Sequence, residues 1–222
     1  MIALYGNLYY NKVMDKRICR VICAGERCPL TFEPQPGDLT IAADGGYAYA
    51  LEAGITPDIV LGDFDSLDIE PHGNVMRLSP IKDVTDTFAA AEEGLARGYR
   101  TFEFYCCTGG RLSHTLANIA TLRYIASRGG KGVMKGRGCE IYVCSSQASI
   151  SGEVYFSLIP SGAEAKVEIR NAAYSGSFAL TDRDSLGVSN EPLKNKIAAV
   201  TVHDGEVIVI VEEKRIRVRG SE

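Results

Sequence analysis

The sequence predicts an α/β fold, a mostly parallel sheet with flanking helices, followed by a small all-β sandwich. Two observations carry this. From residue 18 to residue 150 short apolar runs alternate with amphipathic stretches, the rhythm of strands and helices built into a covered parallel sheet. After about residue 149 the helical pattern stops, and short β-rich runs follow one another with turn signals between them. The division predicts an α/β domain over 1–147 and a β-sandwich over 148–222.

In the first part, strands are expected at 18–24, 39–43, 58–61, 74–78, 101–107 and 140–144. Each is a short run rich in Ile, Val, Leu, Phe or Cys, the composition of strands buried on both faces. Helices are expected at 45–53, closed by Gly54, at 86–98, which is Ala-rich and ends on Gly98, and at 112–127, before Gly129. The last of these spaces Leu116, Ile119, Leu122 and Ile125 as one helix face. Residues 145–152 are polar and read as a linker. Beyond them strands are expected at 153–158, 165–169, 177–180, 197–203 and 207–211, with Asp204-Gly205 as a hairpin turn between the last two.

Composition narrows the function classes. A net charge of −4 and the lack of a basic face argue against nucleic acid as a partner. The basic cluster at 214–219 alternates with apolar residues, as on a half-exposed strand. The seven cysteines are odd in number and form no C-x-x-C pair, which suits small buried side chains in a reducing compartment. No run approaches membrane-spanning length, and residues 1–10 have no basic segment before their apolar residues. The expectation is a cytoplasmic protein with no membrane or nucleic-acid partner.

The chemistry-bearing stretch is 58–66, Asp-Ile-Val-Leu-Gly-Asp-Phe-Asp-Ser. If the chain stays extended after Gly62, Asp63 and Asp65 point to one spot, and two like charges there call for a cation. The same residues also suit a turn in which both acids cap loop backbone. Three further loops fall where strands end or helices begin: Ala43-Asp44-Gly45-Gly46, Lys82-Asp83-Val84-Thr85-Asp86 and Thr108-Gly109-Gly110-Arg111-Leu112-Ser113-His114. Ligands of open parallel sheets bind beyond the carboxyl ends of the strands. A Gly-Gly turn opening into a helix presents N–H groups to phosphate, and Arg111 adds a forked donor. Each has a plainer reading: Asp83 and Asp86 as helix cap and first-turn acid, Arg111 as a surface ion pair, His114 as a helix-surface or core residue. Ser113 lies where a helix begins and is placed to cap its N–H groups. No Walker A pattern and no G-x-G-x-x-G occurs.

Together, Ala-Asp-Gly-Gly at 43–46, Gly-Asp-Phe-Asp-Ser at 62–66, Lys-Asp-x-Thr-Asp at 82–86, Gly-Gly-Arg-Leu-x-His-Thr-Leu-Ala-Asn at 109–118 and Gly-Val-Ser-Asn-Glu at 187–191 resemble the thiamine pyrophosphokinase family. The motifs run in family order from about residue 18 to the end. The resemblance implies an α/β catalytic, ATP-binding domain followed by a thiamine-binding β-sandwich. It implies that ATP and thiamine give AMP and thiamine diphosphate with Mg²⁺ bound by Asp63, Asp65 and Asp86. It places Asp44, Gly45, Gly46, Thr85, Gly109, Gly110 and Arg111 at ATP, with Arg111 and the three acids catalytic. Ser189 and Asn190 would contact thiamine, across the interface of a homodimer. Two departures stand out. Ser113 occupies a position where the family commonly has Asp, and the chain has no Trp to stack on thiamine, leaving Tyr174 as the nearest aromatic. Two other readings remain open: a phosphohydrolase with Asp63 as nucleophile, which would be expected after the first strand, and a non-catalytic binder of nucleotide or thiamine.

Overall fold

The computed structural model describes residues 16–64, 69–79 and 84–214. They fall into two compact units, within Lys12–Tyr142 and Val143–Glu222.

The first unit begins with β1 (Ile18–Ile22), β2 (Leu39–Ala43), α1 (Gly46–Glu52), β3 (Ile59–Gly62) and β4 (Val75–Arg77). It continues with α2 (Asp86–Ala96), β5 (Thr101–Tyr105), α3 (Leu112–Ser127), β6 (Lys131–Gly136) and the start of β7 (Cys139–Cys144). The sheet order is β4-β3-β2-β1-β5-β6-β7, parallel except for the β6–β7 pair. Val21, Ile22, Ile41, Val60, Phe102 and Phe104 are buried, as expected for strands covered on both faces. Helix and sheet approach closely at Gly94 of α2, where a Cβ would stand 2.6 Å from the Phe102 ring and 2.8 Å from Cys19 Sγ. One charge is buried among these strands. Arg20 Nη1 donates to Asp38 at 2.5 Å and Nε to Glu103 at 3.0 Å, so the guanidinium enters the core paired.

The second unit is all β. β8 (Gln147–Ile150), β10 (Glu164–Arg170), β11 (Gly176–Thr181) and β12 (Ala198–Asp204) form an antiparallel sheet in the order β11-β10-β12-β8, and β9 (Val154–Pro160) pairs antiparallel with β13 (Val207–Glu213). The expected fold class, a mostly parallel α/β sheet plus an antiparallel β part, is borne out.

Four local expectations change. β6 was not predicted: Lys-Gly-Val-Met-Lys-Gly carries only two large apolar residues and only Met134 is buried, while Gly132 is needed because a Cβ would stand 2.7 Å from Leu122. The polar stretch read as a linker contains β8, whose side chains alternate exposed and buried. β5 stops at Tyr105 rather than residue 107, because Cys106 turns left-handed at φ 53°. Asp204-Gly205 does not join a hairpin, since β12 pairs with β10 and β8 while β13 pairs with β9; the turn carries the chain from one pairing to the other. Of the basic cluster at 214–219, only Lys214 is among the described residues.

Candidate functional site

The parallel strands reverse their order between β1 and β5, and the loops that leave those two strands are laced together. Gly25 N–H donates to the Cys106 carbonyl and Glu26 N–H to the Thr108 carbonyl, both at 2.7 Å. Tyr49 of α1 donates its hydroxyl to the Gly25 carbonyl at 3.2 Å. Gly25 and Gly109 cannot carry a side chain here: a Cβ on Gly25 would meet the Cys106 and Thr108 carbonyl oxygens at 2.6 Å, and one on Gly109 would meet Glu26 Cβ at 2.5 Å. The 23–28 loop is the part of this site that sequence reasoning missed. Gly25-Glu26 after an apolar run was its only signal.

The loops after β2 and β3 join the same edge. Asp44, in the left-handed region at φ 49°, donates its N–H to Leu61 at 2.7 Å and accepts from Tyr47 N–H at 3.0 Å. Gly46 starts α1 so close to β1 that a Cβ would overlap the Ile22 carbonyl. A Cβ on Gly62 would lie 3.1 Å from Asp44 Cα, so the Asp44 turn and the Asp63 loop touch. The extended conformation expected through Asp63-Phe64-Asp65 does not persist. Phe64 sits at φ 62° and is buried against Ala42, Tyr47 and Val60, with the Arg77 guanidinium 5.4 Å from its ring centre. A buried aromatic in a left-handed turn costs about 1–3 kcal/mol of local strain, and its packing offsets that cost. Asp63 is half-buried just ahead of it. Asp65 lies outside the described residues, as do Lys82 and Asp83.

α2 begins at this edge too, with the Thr87 hydroxyl 3.5 Å from Cys23 Sγ at the end of β1. Thr85 is its N-cap and its hydroxyl accepts from Phe88 N–H at 3.3 Å, with Asp86 in the first turn. The cap expected of Asp83 is therefore made by Thr85. α3 begins differently. Its N-cap is Arg111, with no side-chain cap, and residues 109–114 are exposed. Ser113 is the second residue inside the helix, so the cap expected of it is not made. Gly109 and Gly110, at φ 75° and 62°, form the turn that turns the chain into α3. A buried Asn118, one face above Leu122 and Ile125, donates its amide to the Cys107 carbonyl at 2.8 Å and fixes this loop from behind. The lone amide on an apolar helix face was a signal in the sequence that went unread.

Among the described residues, no group of three or more His, Cys, Asp or Glu side chains is arranged as a metal cage. Asp63 and Asp86 are nevertheless hard oxygen donors on two loops of one sheet edge, a set suited to Mg²⁺, which takes one or two carboxylates and fills the rest with phosphate oxygens and water.

In the second unit, Gly187 to Glu191 run beside β9. Leu158 N–H donates to the Gly187 carbonyl at 2.9 Å, and Phe156 and Asn190 exchange backbone hydrogen bonds at 2.8 and 2.9 Å. Ser189 is exposed at φ 59°, with its N–H on the Ser157 hydroxyl at 3.1 Å. Asn190 is only 3% exposed. Its amide oxygen accepts from Tyr174 and Glu191 N–H, and its amide nitrogen donates to the Tyr174 carbonyl at 2.8 Å. Asn190 thus clamps the backbone of Tyr174, whose own ring is 67% exposed.

Residues 35–133 match the family model described as thiamin pyrophosphokinase, catalytic domain. The resemblance is to thiamine pyrophosphokinases. The enzyme of that name from Bacillus subtilis (strain 168) is 33% identical over 91 residues, a stretch covering 38% of this chain and 42% of the relative's length. The crystal structure of thiamine pyrophosphokinase from Bacillus subtilis superposes with a TM-score of 0.80 at 24% identity, covering 89% of this chain and all of that one. The thiamin pyrophosphokinase from Candida albicans gives 0.70 at 15% identity, over 89% of each chain. At these identities the structural likeness carries the fold, while the sequence match lies over the strand-end loops of the first unit.

Proposed function

We propose that this chain is a thiamine diphosphokinase, transferring the pyrophosphoryl group of ATP to the hydroxyl of thiamine to give thiamine diphosphate and AMP. The observation that carries the reading is the meeting of loops from β1, β2, β3 and β5 at the carboxyl edge of the sheet, beside a helix whose start no side chain caps. Such an edge suits a polyphosphate. In this reading residues 1–147 bind ATP and residues 148–222 bind thiamine.

Asp44, Gly45, Gly46, Thr85, Gly109, Gly110 and Arg111 line the ATP site. The two glycines and the start of α3 offer N–H groups to phosphate, and Arg111 offers its fork to the oxygens that gain charge as transfer proceeds. Thr85 contributes by fixing the start of α2, since its hydroxyl caps the helix. Asp63, Asp65 and Asp86 would hold Mg²⁺, which when bound neutralises phosphate charge. The thiamine hydroxyl oxygen bonds to the β-phosphorus as the α–β bridging bond breaks. The γ-phosphoryl travels with the β, AMP leaves with the bridging oxygen, and the hydroxyl proton passes to solvent or a nearby carboxylate. Ser189, Asn190 and Tyr174 form the thiamine site, with Asn190 setting the position of the exposed Tyr174 ring. The second unit also exposes Leu186, Val188, Leu193 and Ile197, which supports a homodimer. No helix among the described residues is long and apolar enough to cross a membrane. The reading takes the enzyme to be cytoplasmic, with neither membrane nor nucleic acid as partner.

The test is product analysis with ATP, Mg²⁺ and thiamine. AMP and thiamine diphosphate in equal amounts are expected. ADP would mean that the β-phosphorus is not the electrophile, inorganic phosphate alone would favour a phosphohydrolase using Asp63, and no product would leave a binder. Sedimentation at assay concentration should give a dimer; a fully active monomer would remove the dimer from the reading.

A further inference from the structure

Cys28 and Cys106 face each other at the point where the sheet order reverses, on the two loops that hold the candidate nucleotide edge together. Their sulfurs are 3.4 Å apart. The contact is reciprocal: Cys28 N–H donates to Cys106 Sγ at 3.3 Å, and Cys106 N–H donates to Cys28 Sγ at 3.1 Å. Cys106 reaches this position through a left-handed backbone, φ 53°, unusual for a residue with a Cβ. Both line a cavity of about 230 Å³ with Arg27, Leu30, Tyr49 and Glu52. Cys28 is half-buried and Cys106 almost wholly buried, so approach to the pair is through Cys28. Cys19, Cys23, Cys107 and Cys144 are buried.

We propose that Cys28 and Cys106 are a dithiol site that small disulfides oxidise to an intrachain disulfide, closing the 23–28 loop onto the 106–111 loop. The Cys28 thiol hydrogen-bonded to Cys106, and then the nearby Arg27 charge, favour thiolate on Cys106, lowering it to about 7 against the opposing effect of burial, while Cys28 is correspondingly raised. Loss of one proton from the pair leaves the other shared across the 3.4 Å sulfur contact. When that proton sits on Cys106, the Cys28 thiolate attacks one sulfur of the small disulfide and expels a thiolate. The released thiolate takes the proton from Cys106, and the Cys106 sulfur then attacks Cys28, expelling the second thiolate. Two protein sulfurs are oxidised, one small disulfide is reduced, and excess thiol reverses the reaction. To bond, the sulfurs close by on the order of 1 Å. The Cys106 carbonyl accepts from the Gly25 N–H, and Cys106 stands two residues before Thr108, so the movement falls on the Gly109-Gly110 turn.

The test treats the full-length protein with glutathione disulfide and maps it without reduction. Expected are a linked peptide pair containing Cys28 and Cys106, a mass lower by two hydrogens, and reversal by dithiothreitol. ATP affinity, by calorimetry, should fall by on the order of tenfold and recover on reduction. Cys28→Ser should form no internal link and keep its ATP affinity in the presence of the oxidant. The ATP arm rests on the proposed function, whereas the peptide map does not. If the reduced protein binds no ATP, the nucleotide reading fails and the map still decides the disulfide. A link between other cysteines, or both thiols still open to alkylation after treatment, overturns the proposal. A Cys28–Cys106 link with unchanged ATP affinity overturns its coupling to the loop.

Discussion

The starts of α2 and α3 lie in the same unit and differ in how their N–H groups are satisfied. α2 is closed by its own chain: the Thr85 hydroxyl caps Phe88 N–H, and Asp86 meets the helix dipole. α3 has Arg111 at its cap position with no side-chain bond, behind two exposed glycines in the left-handed region. Its loop is instead held from the rear, by Asn118 on Cys107 and by Glu26 on Thr108. A terminus fixed from behind and left open in front is suited to receive an anion. A capped one is suited to present a side chain.

Four substitutions break or sharpen this contrast. The largest effect is expected from Asp86→Asn. As a metal-holding residue its loss lowers turnover by on the order of 10²–10³-fold, in addition to removing the about 0.3–1 kcal/mol of stability that its charge at the helix start contributes. If it is only a dipole partner of α2, turnover stays near wild type and stability falls by about 0.3–1 kcal/mol. Steady-state rates separate the two.

Asn118→Leu removes the support behind α3. The orphaned Cys107 carbonyl costs about 1–3 kcal/mol, read by urea denaturation, and KM for ATP should rise more than kcat falls. Unchanged KM would detach the rear support from the open terminus. Thr85→Ala opens α2 instead, at a cost of about 1 kcal/mol. ATP affinity should change little, and a large loss of affinity would make Thr85 a direct ligand and undo the contrast.

The smallest effect is expected from Ser113→Asp, which adds an acid to the first turn of the open helix. At about 0.3–1 kcal/mol, the Mg²⁺ concentration for half-maximal rate should fall by roughly two- to fivefold. Superimposable titrations would leave Ser113 as an exposed helix residue with no part in the site.

How much was legible can be judged at these same elements. The 112–127 helix was read to the residue, because Leu122 and Ile125 recur at helical spacing and Gly129 follows the end. The strand-end loops carrying Asp44, Asp63 and Gly109-Gly110 were also in view, since Asp and Gly stand out after apolar runs. Ser113 as a cap was a fair reading of residue type, but the chain enters the helix at Arg111, and that depends on how the two glycines turn. Phe64 defeats the simple alternation of Asp63 and Asp65, because its ring is drawn into a cluster with Ala42, Tyr47 and Val60.

Local periodicity and residue type are properties of neighbours along the chain, and they determined the fold class, most elements and the loops that carry acids and glycines. Tertiary structure alone decided what meets across the sheet. It formed β6 from a weakly apolar stretch by setting it between β5 and β7, and split β12 from β13 although Asp-Gly lies between them. It also set Gly25 against Cys106, and Cys28 beside a thiol 78 residues away. Those contacts depend on which strand lies next to which, and strand order is fixed by the packing of the whole sheet rather than by any short stretch of sequence.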